Sequence, residues 1–460
     1  MRRDVHIAPL AVFRVLFGLA MTISTIRFIS LGWIDKQYVE PVMHFTYYGF
    51  EWVKALPALG MYALFGVLLL SGIGIMIGAW YRISAPLFFL VFTYIELIDK
   101  TYYLNHYYFV SIVALLLAVV PAHRYFSIDV LRNPGSQRTT VPFWVIGIFQ
   151  AQLGIVYFYA GLAKINEDWL LHAMPLRIWL PAQDNMPVIG PLLRQTWAAY
   201  VFSWAGMLYD VFIPFLLLIR RTRWLAYAAV VAFHSLTGYF FQIGVFPLVM
   251  ILCTLIFFSE SFHIKLIRRV REAFRLRATE SLSASWQPAV GSRNLYAAFL
   301  LIYFTIQIAL PWRYLLYPGN MFWTEEGYRF GWRVMLMEKA GTATFFVRNP
   351  ETGKEGVVVN SEFLNAHQEK QMAMQPDMVL EYASFLASYY QKQGMKTPEV
   401  RAEVWVTLNG RRSRLLVDPK VNLAARQENL FPKDWILPLN NMVMQPEWVA
   451  EAENNGVDED

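Results

Sequence analysis

Nine apolar stretches, punctuated by short polar loops, fill the first two-thirds of the chain: residues 8–31, 59–80, 83–98, 104–121, 142–164, 197–219, 224–241, 244–259 and 294–311. A helix needs about 20 consecutive apolar residues to cross a bilayer, so the pattern predicts a polytopic α-helical membrane protein of about nine spans. The third and eighth stretches are short and are expected to tilt into the bundle or to be partly re-entrant. Beyond residue 311 the period changes from helical to alternating. Thr342–Arg348 and Gly356–Asn360 flank the turn Asn349-Pro350-Glu351-Thr352-Gly353, and Val400–Leu408 and Arg414–Val417 flank Asn409-Gly410, a strong hairpin signal. Two helical stretches, 361–372 and 376–393, lie between them, which predicts a small, β-rich α+β domain outside the membrane. The expected organisation is a helical bundle over 1–260, a basic linker over 261–293, a final span over 294–318, an extracytoplasmic domain over 319–450 and an acidic disordered tail over 451–460.

Composition agrees with the pattern: 56% of the 460 residues are hydrophobic and the mean hydropathy is +0.35. The net charge of +6 does not point to nucleic acid, because Lys and Arg gather in the short loops between spans, where they set topology. One set of loops holds Arg2, Arg3, Arg82, Arg124, Arg132, Arg138, Arg220, Arg221, Arg223 and the cluster from Lys265 to Arg293. The opposite set holds only Lys36, Lys54, Lys100, Lys164, Arg177 and Arg194. The first set is therefore expected in the cytoplasm, with the chain after Pro311 on the other side. Arg14 interrupts the first apolar stretch and no small-residue cleavage site follows it, so this stretch reads as an uncleaved helix. Residues 264–274 form a basic amphipathic helix suited to an anionic membrane surface. The single cysteine, Cys253, excludes an intramolecular disulfide and paired-thiol redox chemistry.

Candidate chemistry lies in the polar residues of the apolar segments. At helical spacing Gly147, Gln150, Gly154, Tyr157, Gly161, Lys164 and Asp168 share one face, small or polar, which turns Lys164 inward. An ionisable side chain in a span is a functional candidate, although a lysine there can also snorkel to the interface. Under the expected topology, Lys164 shares one leaflet with Glu96, Asp99, Lys100, Asn105, His106, Tyr107 and His234. Taken singly, each has a structural reading: a helix-end histidine, an interfacial charge pair or an aromatic belt. Their convergence on one leaflet favours a pocket that loop 165–196 can cover. The sequence carries no HExxH, P-loop or GxSxG motif. An aromatic pocket with a lysine base suits a lipophilic quinol.

These residues sit in stretches that resemble the vitamin K-dependent γ-glutamyl carboxylases and their bacterial relatives, which share the horizontally transferred transmembrane domain. The stretches are LAVFRVLFG (10–18), MIGAWYRIS (76–84), LIDKTYYLNHYY (97–108), IVYFYAGLAKINEDW (155–169), Asp210, FHSLTGYFFQIGVF (233–246), EVWVTLNGR (403–411) and VDPKVNL (417–423). The resemblance implies an enzyme that oxidises vitamin K hydroquinone to its 2,3-epoxide with O2, and uses the base so formed to add CO2 to peptidyl glutamate, with no metal. It implies Lys164 as the residue that deprotonates the hydroquinone, His106 at the quinone oxygen with Asn105 beside it, and His234, Tyr157, Asp99, Tyr107, Asp210 and Gln242 around the quinone. The expected partners are the lipid bilayer and a glutamate-containing peptide or protein, without nucleic acid. The expected location is a bacterial cytoplasmic membrane, with the active site and C-terminal domain facing the periplasm or outside. Vertebrate members carry a lysine where this chain has Ala163, a histidine near Met337, and bracing cysteines. Two alternatives remain open on sequence: a quinol epoxidase without carboxylation, and a non-enzymatic membrane carrier or scaffold.

Overall fold

Backbone placed in hydrocarbon must satisfy its own N–H and C=O groups, and a helix does so within one segment. In the computed structural model, which describes residues 3–187, 189–241, 243–276 and 284–439, every one of the nine apolar stretches is helical. They form α1 (Ala8–Ser30), α2 (Ala58–Ile77), α3 (Tyr81–Ile98), α4 (Asn105–Val119), α5 (Trp144–Ala163), α6 (Thr196–Leu218), α7 (Arg223–Phe241), α8 (Phe246–Thr254) and, after the amphipathic α9 (Glu260–Ala273), α10 (Arg293–Ala309). Among the described residues seven helices are long and apolar enough to span, or eight if α8 with its extension to Phe257 is joined to α9 across a 118° bend. The lengths differ from expectation in two places. The third span is complete at 18 residues and ends at Asp99, which caps the next turn through the Thr101 N–H at 2.9 Å, whereas α4 has only 15 because it stops at Val119, just before Pro121. The chain belongs to the membrane.

α1 is central, with 67% of its best apolar window buried against 17% for the last helix, which lies at the periphery. The charge of α1 explains its seat. Arg14, fully buried, donates to the carbonyls of Ile75 and Met76 at 2.6 and 2.9 Å and of Phe126 at 2.6 Å. A cation thus meets the carbonyls at the C-terminus of α2, of which that of Ile75 also accepts the Gly78 N–H. At this end of the bundle a short β1 (Asp4–His6) pairs antiparallel with β2 (Thr140–Pro142), tying the N-terminus to the start of α5.

At the opposite end sits the C-terminal domain. Its four strands, β3 (Lys339–Arg348), β4 (Glu355–Val357), β5 (Glu399–Leu408) and β6 (Arg414–Leu415), lie in the order β4-β3-β5-β6, all antiparallel. The alternation seen in the sequence is the burial pattern: Val400, Ala402, Val404, Val406 and Leu408 face a core shared with α12 (Pro376–Lys392). The expected strand 356–360 stops at Val357. The helix expected from 361 starts at Ala366 as α11 (Ala366–Met372), because Asn365 and Gln368 form a capping box there.

Docking of this domain onto the bundle is polar and buried. Lys100 lies 3.0 Å from Asp377 and 2.9 Å from Glu381, and Arg329 reaches Asp377 at 2.7 Å. Glu381 also accepts from the Thr46 N–H and hydroxyl at 2.8 and 2.7 Å. Burial alone would push the Asp377 carboxyl up, but Arg329 and Lys100 outweigh it and hold it well below the usual carboxylate range. A carboxyl depressed on folding adds stability that is complete above its unfolded value of about 4 and is lost as pH falls through the folded one. The expected result is a contribution of Asp377 to thermal stability that is constant between about pH 5 and 8 and falls away below about pH 4. Acid titrations of wild type and Asp377→Asn check this. Identical slopes below pH 4 would remove Asp377 from the docking.

Candidate active site

On the face of α5 that carries Lys164, Gly161 is the point of closest approach to the next helix. A Cβ on Gly161 would lie 2.6 Å from the backbone N of Val211 and 3.0 Å from the carbonyl carbon of Asp210, so α6 can come this near only to a glycine. That approach brings Asp210 to the lysine. Lys164, the C-cap of α5, donates to Asp210 Oδ2 at 2.7 Å and to the Ala160 carbonyl at 3.3 Å, and its Nζ lies 5.4 Å from the Trp169 ring centroid. Both partners of the ion pair are more than nine-tenths buried. Gly161→Ala is expected to push α6 away, costing about 1–3 kcal/mol as an overpacked core does and separating the pair. Thermal unfolding of the purified protein checks it, and an unchanged midpoint would mean the helices do not meet there.

Beside the pair lies a cavity of about 940 Å³, counting the space at its mouth. Its walls are aromatic: Trp169 and Trp179 from loop 165–196, Phe202 from α6, Phe233, Phe240 and Phe241 from α7, and Phe246 from α8. Val334 and Met335 close it from the chain leading into β3. Titratable groups enter at two places, Lys164 with Asp210, and Tyr157 with His234, and the hydroxyl of Thr237, also in the lining, is turned to the Phe233 carbonyl at 2.9 Å. The Tyr157 hydroxyl is 3.1 Å from His234 Nε2 and 3.4 Å from Thr254 Oγ1. His234 is buried, and its Nδ1 has no hydrogen-bond partner among the described residues. Four groups able to exchange or donate protons thus border an otherwise apolar, concave space, as ligand sites do.

The other residues singled out from the sequence lie elsewhere. His106 does not line the cavity; its ring packs at 5.4 Å on Phe246, whose other neighbour is His234 at 5.8 Å. One aromatic ring therefore separates the two histidines. Asn105 donates to the Arg333 carbonyl at 2.8 Å and accepts from the Tyr103 hydroxyl at 3.0 Å, so it fastens the C-terminal domain instead of facing the cavity. Asp99 is also a docking residue: its carboxylate takes Thr101, His44 and Gln368, the last at 2.8 Å. Tyr107 packs between His106 and Phe92 outside the cavity, and Gln242 falls outside the described residues. Glu167 and Asp168, the carboxylates nearest to Lys164 in sequence, are not its partners. Glu167 is exposed and lies 3.7 Å from His172. Asp168 is buried and accepts from Asn409 Nδ2 at 2.6 Å and from both Arg411 nitrogens at 2.8 and 2.7 Å, in the β5–β6 connection.

Sequence reasoning missed Val334 and Met335, which reach the cavity through long-range packing, and Thr254, which stands behind it at the Tyr157 hydroxyl; none has a local signal.

Residues 2–262 match the family described as HTTM domain, and residues 292–442 match the lumenal domain of the vitamin K-dependent gamma-carboxylase. No solved structure matches the chain.

Proposed function

Because the chain belongs to the vitamin K-dependent gamma-carboxylase family, we propose that it oxidises a vitamin K-type hydroquinone with O2 to the 2,3-epoxide and couples this to carboxylation of peptidyl glutamate with CO2. The observation that carries the reading is the buried Lys164–Asp210 pair at the wall of an aromatic, apolar cavity. A flat bicyclic quinol fits such a lining, and its two oxygens find polar partners at two places, Lys164 and the Tyr157–His234 pair. When bound, the hydroquinone supplies the reducing electrons and, on epoxidation, the strong base that glutamate carboxylation requires.

The chain's own part is binding and proton placement. The pair Lys164 and Asp210 holds one proton between an amine and a carboxylate 2.7 Å apart. When that proton sits on Asp210, Nζ has a free lone pair and accepts a hydroxyl proton from the quinol. The pair then carries one positive charge opposite the phenolate, in a site where electrostatic stabilisation is strong because the lining is apolar. Tyr157 and His234 orient the second oxygen. His106 supports this from behind Phe246. Trp169 and Trp179 cover the cavity from loop 165–196. The carboxylation step is proposed to take place where the cavity meets the C-terminal domain, in the periplasm or outside.

The test is direct. Purified protein supplied with reduced vitamin K, O2, labelled CO2 and a glutamate peptide is expected to yield both epoxide and labelled peptide. Epoxide without labelled peptide would leave an epoxidase, and neither product from folded protein would overturn the proposal.

A further inference from the structure

The amphipathic α9 leaves α8 at 118°, so it crosses the end of the bundle instead of continuing through it. This is the end away from the C-terminal domain. α9 packs on α1 through the buried His263 and Ile267, and its neighbour Phe126 gives its carbonyl to Arg14 near the start of α1. The C-terminal domain is met beyond the far end of α1, where Tyr38 packs on Tyr102 and Tyr102 stacks on His367. A helix lying across the end of a membrane bundle lies at the bilayer surface.

Where α9 passes Tyr125 a groove opens, with about 980 Å³ of empty volume including its mouth. Ile264, Ile267 and Leu276 form its apolar side, and Arg268, Arg271 and Arg275 its rim. The Arg271 guanidinium is fixed 5.8 and 5.5 Å from the ring centroids of Tyr125 and Phe126. The positive charge here has little to oppose it. Glu272 meets Arg268 at 3.8 Å with both side chains mostly exposed, a weak pair. Asp129, on the same end, has its two oxygens occupied by the N–H groups of Trp80 and Tyr81 at 2.8 and 3.0 Å. Among the described residues neither Arg271 nor Arg275 has a carboxylate within ion-pair distance. A point charge in solution would need no apolar wall, and an acyl chain would need no arginines. Together they describe one ligand chemistry.

We infer that this groove is a binding site for an anionic glycerophospholipid, its phosphodiester held by Arg268, Arg271 and Arg275 and its acyl chain laid along Ile264 and Leu276. The site is independent of the reaction proposed above. Purified full-length protein is delipidated, titrated with phosphatidylglycerol or phosphatidylcholine in mixed micelles, and read by native mass spectrometry. Wild type is expected to retain phosphatidylglycerol over phosphatidylcholine by about fivefold or more, since each basic residue near an anionic surface contributes several-fold. The variant R268Q/R271Q/R275Q is expected to lose that excess, and R220Q/R221Q, which removes two cations from another loop, is expected to keep it. Should the triple variant misfold, Arg275→Gln alone, at an exposed position, is expected to halve the excess or more. Equal retention by wild type and the groove variants, or equal loss in R220Q/R221Q, would overturn the site and leave only diffuse surface charge.

Discussion

Lys164→Met is expected to lower the rate of quinol epoxidation by about 10²–10⁴-fold, the usual contribution of a positioned proton acceptor. The prediction needs a control, because the substitution also leaves Asp210 buried against apolar side chains without its partner. Breaking a buried pair from one side costs about 3–5 kcal/mol, so a fall in activity could be mistaken for a fall in folded protein. The double variant Lys164→Met/Asp210→Asn removes both charges and is expected to regain most of the stability and none of the activity. Thermal unfolding and epoxide formation per folded molecule, measured side by side, separate the two effects. Restored epoxidation in the double variant would remove Lys164 from the chemistry. Lys100→Ala should do the opposite. This lysine is equally buried, but it serves Asp377 and Glu381 in the docking of the C-terminal domain, so stability falls while epoxidation per folded molecule persists.

Arg411→Ala is expected to destabilise the protein by about 3–5 kcal/mol, the cost of leaving a buried carboxylate unpaired, and to reduce turnover as well. The carboxylate is Asp168, which takes two of its three named hydrogen bonds from Arg411 and the third from Asn409. The coupling to activity follows from the next residue. Trp169 stacks by Lys164 and donates from its indole N–H to the Ser203 carbonyl at 2.8 Å, so the hairpin of one domain steadies the cavity wall of the other. Trp179 makes a second link of this kind, donating to Glu338 at 2.5 Å. Asp168→Asn, which keeps acceptor and shape but removes the charge, should cost less than Arg411→Ala in both readings. Turnover that stays at the wild-type level in a destabilised Arg411→Ala would show that the hairpin supports folding only.

Such a bridge gives the C-terminal domain a role in the site that its sequence position does not suggest. Loop 165–196 is held at Asp168 and Trp179 by residues more than 150 positions later. A ligand that engaged the C-terminal domain would therefore act on the same segment that covers the aromatic cavity.

Much of this was legible in the chain itself. Hydrophobic runs fixed the helices, because in a bilayer no other local structure pairs the backbone within one segment. Alternation fixed β3 and β5, and Asn409-Gly410 marked the turn, with both residues at positive φ. The inward face of Lys164 followed from spacing alone, and the basic α9 from its pattern. What spacing could not give was a partner. Glu167 and Asp168 were the obvious neighbours of Lys164 in sequence, yet the lysine meets Asp210, 46 positions away, because Gly161 lets two helices come close enough. Asn105 and Asp99, expected at the site, lie outside the cavity lining. Their polar side chains at a helix end meet another domain, and only the docked structure contains that domain. Periodicity reports which way a side chain faces, a property of one helix. Which side chains face one another depends on how helices and domains pack, and that was decided by tertiary contacts alone.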